Sequence, residues 1–162
     1  MDDELFHCIQ DQTGRERLRD ALMDTYFPRY TPQSSENITR KYGPGDEGNE
    51  HKKLKEWIAQ NPMELGITDV KSRKIEYVLP SGDAADIVFE LDGNRYIVVE
   101  IETFDPYPGC YQALKYRVLK CAELGEDLKS SNVEAILVAW TIPEVVNTFC
   151  KKYGIRFVEK KL

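Results

Sequence analysis

Apolar positions along this chain of 162 residues follow two rhythms, one near 3.6 residues and one of two, and their succession sets the expected elements. Residues 12–27 carry Leu18, Leu22 and Phe27 among charges, a helical spacing that Pro28 ends, after an opening turn with Leu5, Phe6, Cys8 and Ile9. Residues 30–48 are dense in Pro, Ser, Asn and Gly and read as a long loop, either a substrate-facing flap or a partly disordered segment. A second helix is expected from Gly48 or Asn49 to Ala59, stopped by Asn61 and Pro62. Leu54, Trp57 and Ile58 form its apolar stripe, and Glu50 stands at the head of that stripe, one turn earlier.

Period-two patterning takes over next. The run from Arg73 to Leu79 alternates like a strand and ends at Pro80, Ser81 and Gly82. Asp86-Ile87-Val88-Phe89-Glu90 and Tyr96-Ile97-Val98-Val99-Glu100-Ile101-Glu102 flank a turn spanning Leu91, Asp92, Gly93, Asn94 and Arg95, which is a hairpin pattern. Residues 103–109 read as an irregular loop, and 110–124 as a helix that buries Leu114, Val118, Cys121 and Ala122 and stops at Gly125. The continuous apolar run from Glu134 to Trp140 suits a strand buried on both faces; residues 143–153 suit a helix and 154–158 a last strand, so a parallel crossover is expected. The order helix, three strands, helix, strand, helix, strand predicts one α/β domain with a mixed central sheet over residues 47–162, preceded by a helical extension and loop over 1–46.

Composition narrows this picture little. Hydrophobic residues at 41% and charged residues at 31% suit a water-soluble chain of one domain with its own core. No run approaches the ~18 apolar residues of a membrane span, and Met1-Asp2-Asp3-Glu4 does not resemble a signal peptide, so no membrane association and a cytoplasmic location are expected. Cys8, Cys110, Cys121 and Cys150 are scattered without a paired spacing, which predicts reduced, mostly buried thiols rather than a zinc ribbon or disulfide framework. A net charge of −6 argues against a protein that coats nucleic acid nonspecifically. Local basic patches are still available at Lys52, Lys53 and Lys55, at Lys115, Arg117 and Lys120, and at Lys151, Lys152 and Arg156.

The chemistry concentrates in the hairpin. Side chains two apart on a strand share a face, so Glu100 and Glu102 point together, and a paired neighbour strand can bring Asp86 beside them. An exposed strand end with solvated charges would account for three acids, but the apolar runs around them mark both strands as interior. Buried carboxylates are costly unless they are protonated or bind a cation, and oxygen donors of this kind suit Mg2+ or Mn2+.

Glu50 on a helix, Asp86 on a strand, Glu100-Ile101-Glu102 on the next strand and Gln112-Ala113-Leu114-Lys115-Tyr116 on a following helix, in this αβββαβ order, resemble the PD-(D/E)XK nuclease superfamily. The resemblance spans residues 47–140 and implies a restriction-endonuclease-like fold. It further implies that Asp86 and Glu100 ligate a divalent metal with the backbone carbonyl of Ile101, that Glu50 contacts the metal directly or through water, and that Gln112 and Tyr116 orient groups or touch substrate. The superfamily usually has lysine where this chain has Glu102; a lysine orients water and offsets transition-state charge, whereas a glutamate accepts a proton or binds a further cation. Lys115 on the following helix is one candidate to supply the missing ammonium, the alternative being a solvated surface lysine. His51 lies about 100° round the helix from Glu50 and is expected to point away from the site.

Hydrolysis of DNA by metal-activated water is the activity so implied, with a homodimer where both strands of a duplex are cut. Phe104, Tyr107 or Tyr111 would be placed to stack on a base. Two other readings fit the same residues: a nuclease-fold protein impaired by Glu102 that binds nucleic acid or a protein partner, and a structural subunit whose acids bridge basic side chains.

Overall fold

The computed structural model describes residues 48–162, so the expected N-terminal helices and the loop over 30–47 lie outside the described residues. Helix α1 is Asn49–Gln60, followed by a short 3-10 turn at Pro62–Leu65. Strands β1 (Val70–Val78), β2 (Ala84–Leu91) and β3 (Arg95–Glu102) follow, then helix α2 (Pro106–Leu124), strand β4 (Val133–Ala139), helix α3 (Glu144–Tyr153) and strand β5 (Arg156–Glu159). The five strands lie side by side in sequence order. The pairs β1 with β2 and β2 with β3 are antiparallel, whereas β3 with β4 and β4 with β5 are parallel.

That change of direction follows from the connections. The turn at Asp92, Gly93 and Asn94 places Gly93 at φ 75° and Asn94 at φ 60°, the left-handed geometry that tight hairpins need. From β3 onward the connections contain helices, long enough to return the chain to the same end and lay strands parallel. The mixed sheet is flanked by helices on both faces. Odd-numbered residues of the hairpin (Ile87, Phe89, Ile97, Val99, Ile101) join Leu54 and Ile58 of α1 in one apolar cluster. Even-numbered residues face α2: a methyl group at Gly109 would meet the side chains of Glu102 and Leu137. The interior placement expected for β2 and β3 is therefore what the fold provides, with Ile87, Phe89 and Val99 fully buried.

Helix α2 begins four residues earlier than periodicity suggests. Asp105 caps it by accepting a hydrogen bond from the Tyr107 amide at 3.1 Å, and Pro106 occupies the first turn, where its missing N–H is no loss. The Pro and Gly residues that read as a loop are thus helical from Pro106 onward. Its buried side also differs from expectation. Cys110, Ala113, Tyr116, Lys120 and Cys121 are buried, whereas Leu114, Val118 and Ala122 are only partly so. The rotation is stabilised by Lys120, which is 3% exposed: its ammonium donates to Tyr77 Oη at 3.0 Å and to Glu123 at 3.1 Å and sits 4.5 Å from the ring centres of both Tyr77 and Tyr96. Cys110, Cys121 and Cys150 are free and buried, as expected for reduced core thiols. Among the described residues no helix is long and apolar enough to cross a membrane.

Candidate active site

Continuing the register that pairs Ile87 with Val99 sets Asp86 opposite Glu100 across the β2–β3 ladder. The ladder stops there because the Ile101 amide donates to Asp86 Oδ2 at 2.9 Å instead of to a backbone carbonyl. Glu102 lies two residues on, its side chain laid against the backbone of Gly109 in α2. Three acids therefore gather where two interior strands part.

Their electrostatics differ. Glu100 is 5% exposed, and burial first, then the charges of Asp86 and Glu102, hold its pKa well above the ordinary carboxylate value, with Lys115 and Lys55 opposing. Burial likewise pushes Glu102 up to about 7, against the pull of His51. Neither side-chain carboxyl accepts a hydrogen bond or forms an ion pair among the described residues.

Helix α1 reaches Asp86 with residues other than the one expected. His51 Nε2 is 2.8 Å from the Ile101 carbonyl and 3.3 Å from Asp86 Oδ2. One turn on, Lys55 is buried, its Nζ 3.4 Å from Asp86 Oδ1 and in contact with Glu76 Oε1. Glu50 is exposed and pairs with Lys53 at 3.9 Å. The expectations that Glu50 heads the inward face and that His51 points away are both corrected by about 100° of rotation. The inward stripe is His51, Leu54, Lys55, Ile58 and Ala59, a spacing that the sequence permits as readily as one through Glu50 and Trp57.

From the opposite face, α2 presents Lys115, whose ammonium donates to Asp83 at 2.9 Å and lies 4.7 Å from the Tyr116 ring centre. Tyr116 is 5% exposed and donates to Gln112 Oε1 at 2.8 Å. Its hydroxyl pKa is raised by burial first and then by the charges of Glu100, Asp83, Asp86 and Glu102. Glu76, unforeseen from the sequence, holds a left-handed φ of 53° within β1. Nothing in the alternation around it signals that backbone state.

The basic patches fare unevenly. Lys55 and Lys120 are buried, and Arg117 donates to the carbonyls of Tyr153 and Leu128, so the middle patch is largely spent on internal contacts. Lys151 and Lys152 stay exposed. Phe104 is 69% exposed beside the acids, whereas Tyr107 and Tyr111 are joined by a hydroxyl contact of 2.7 Å.

The donor set fits a hard divalent cation. Asp86, Glu100 and the Ile101 carbonyl offer oxygen alone, and the buried Glu100 and half-buried Glu102 accept no hydrogen bond among the described residues. A carbonyl oxygen has two lone pairs, so the His51 contact does not exhaust Ile101. Among the described residues no three His, Cys, Asp or Glu side chains are grouped as a ready-made metal site.

Comparison with solved structures gives the same fold. A repair endonuclease from Pyrococcus abyssi superposes with a TM-score of 0.57 at 20% identity over 73% of this chain and 50% of its own. EndoMS in its apo form gives 0.51 at 19% identity over 72% and 48%, and an EndoMS–dsDNA complex 0.53 at 18% over 74% and 48%. These neighbours have the restriction-endonuclease-like fold, and the chain spans about half of their length. No family model and no curated protein matches the sequence.

Proposed function

We propose that this chain is a metal-dependent nuclease that hydrolyses phosphodiester bonds of DNA. The observation that carries the reading is the buried Glu100 and half-buried Glu102, which among the described residues have no hydrogen-bond or ion-pair partner, beside Asp86 in a sheet of repair-endonuclease topology. Asp86, Glu100 and the Ile101 carbonyl would hold Mg2+ or Mn2+, which when bound supplies Lewis acidity toward the phosphate and a lowered pKa for water. Glu102 takes a proton from the attacking water as the new oxygen–phosphorus bond forms and the ester bond opposite it breaks; the leaving alkoxide gains its proton from solvent. Tyr116 and Gln112 act as a hydrogen-bonded unit that positions substrate at the α2 face. DNA as the substrate draws support from a neighbour seen with double-stranded DNA, and a homodimer would serve to cut both strands.

The test is incubation with single-stranded, duplex and branched DNA in Mg2+ or Mn2+, beside Asp86→Asn, which keeps an acceptor for the Ile101 amide. Wild-type cleavage that the variant loses by about 100-fold supports the reading. Absence of cleavage on every substrate, or equal cleavage by both proteins, overturns it.

A second reading is a catalytically impaired nuclease-fold protein that binds nucleic acid or a protein partner, favoured by glutamate rather than lysine at position 102. Calorimetry would then find no Mn2+ binding while DNA affinity persists. The Lys55–Asp86 contact is what a wholly structural role for the acids would show, but that role leaves Glu100 and Glu102 without bridging cations among the described residues.

A further inference from the structure

Strand β3 brings no cation to the acids, since Glu102 occupies the position where an ammonium would help a phosphoryl transition state. Two lysines approach from the flanking helices. Lys115 forms a rim pair with Asp83, the two side chains 32% and 39% exposed, and such pairs are screened by water. Lys55 has a side chain 3% exposed and contacts Asp86 directly.

The surroundings of Lys55 are those of a held charge. It lies in the apolar stripe of α1 beside Leu54, Ile58 and Ala59, where an aliphatic residue would pack without desolvating an ion. Its partner Glu76, whose side chain is 57% exposed so that only the lysine end of the pair is desolvated, keeps a left-handed φ of 53° inside β1, a state that costs a non-glycine residue about 1 to 3 kcal/mol. By continuation of the pairs Ile75 with Ile87 and Tyr77 with Ala85, Glu76 also stands across from Asp86. A buried ammonium, an acid in an unfavourable backbone state and a candidate metal ligand thus meet at one point.

We propose that Lys55 is the cation of this active site, replacing from helix α1 the ammonium missing at position 102, and that Glu76 is the positioning residue that aims it. The inference rests on the nuclease reading above. Lys55 offsets charge growing on the phosphate oxygens, while Glu76 keeps the ammonium from collapsing fully onto Asp86.

The experiment compares full-length wild type, Lys55→Met, Lys115→Met, Lys55→Arg and Glu76→Gln by single-turnover DNA cleavage, Mn2+ calorimetry and thermal melting. Lys55→Met is expected to cleave about 100-fold more slowly or worse, the loss typical of a transition-state donor, and to drop at least about tenfold further than Lys115→Met. Its Mn2+ affinity should hold or rise, because a cation competing for Asp86 is gone; Lys55→Arg should recover part of the rate. A Lys55→Met protein that cleaves within about threefold of wild type, or that loses cleavage and Mn2+ binding together, overturns the proposal. If Lys55→Met fails to fold, Glu76→Gln carries the test: slower cleavage with unchanged Mn2+ binding supports the proposal, and unchanged cleavage overturns it. Wild type that neither binds Mn2+ nor cleaves brings down the nuclease reading itself, an outcome distinct from a Lys55 variant that stays active.

Discussion

Gly109→Ala should destabilise the protein, and the loss should vanish when Glu102 is also shortened. A methyl group at position 109 would lie 2.3 Å from Glu102 Cγ, 3.0 Å from its Oε1 and 3.1 Å from Leu137 Cδ1. Carbon atoms pack at ~3.5 to 4.0 Å, so the Glu102 side chain would have to retreat by more than an ångström. Overpacking of this kind costs about 1 to 3 kcal/mol, while alanine gains up to about 1 kcal/mol over glycine in a helix. The net loss is therefore about 1 kcal/mol in the native background. In a Glu102→Ala background the two nearest atoms are gone, and the same substitution should be neutral or slightly stabilising. The expected coupling of about 1 to 2 kcal/mol is within the range for side chains in contact. Urea unfolding of the four proteins of this cycle, followed by circular dichroism at pH 7 without metal, measures it. Additivity within about 0.5 kcal/mol would mean that the α2 backbone does not set the place of Glu102.

Metal-free protein should lose stability as pH rises. Glu102 is raised from 4.5 to about 7, so the folded state holds its proton more tightly than the unfolded chain; stability is fullest below 4.5, falls between 4.5 and 7, and levels off about 3 kcal/mol lower. Glu102→Gln should flatten that slope in melting curves, and saturating Mn2+ should raise the wild-type melting temperature at pH 7.5; a slope identical in the two proteins would refute the assignment. Glu50→Ala, at an exposed side chain paired only with Lys53 among the described residues, should change stability by less than about 0.5 kcal/mol and leave Mn2+ affinity unaltered by calorimetry. Asp105→Ala should remove about 1 kcal/mol by uncapping α2, read as a lower midpoint in urea.

Most of the fold was legible because β-branched runs and turn residues act locally. Ile87 to Phe89 and Ile97 to Val99 could only be interior strands, and Asp92, Gly93 and Asn94 could only be a turn. Asp86, Glu100 and Glu102 were legible for the same reason, since register follows from the hairpin. Helix α1 was harder. Its rotation was read from Trp57, a large residue that is only partly buried, when Ala59 marks the inward side; a one-residue difference exchanged Glu50 for His51 and hid Lys55. Prolines 106 and 108 suggested a loop because breakers end helices, yet in a first turn they do not. Glu76 was not legible at all, because no turn residue or break in alternation marks its left-handed backbone and its partner Lys55 lies on another element.

Lys120, lodged between the rings of Tyr77 and Tyr96, has a mechanical meaning. An outermost strand is ordinarily the first part of a sheet to fray, and β1 carries Glu76 one residue from Tyr77. The lysine rivets that strand to β3 and α2 across the intervening β2, so the far wall of the acidic site cannot swing out while α2 stays docked. Amides near Tyr77 and along the middle of α2 should accordingly open to hydrogen exchange as one unit, with Lys120→Met releasing the strand first.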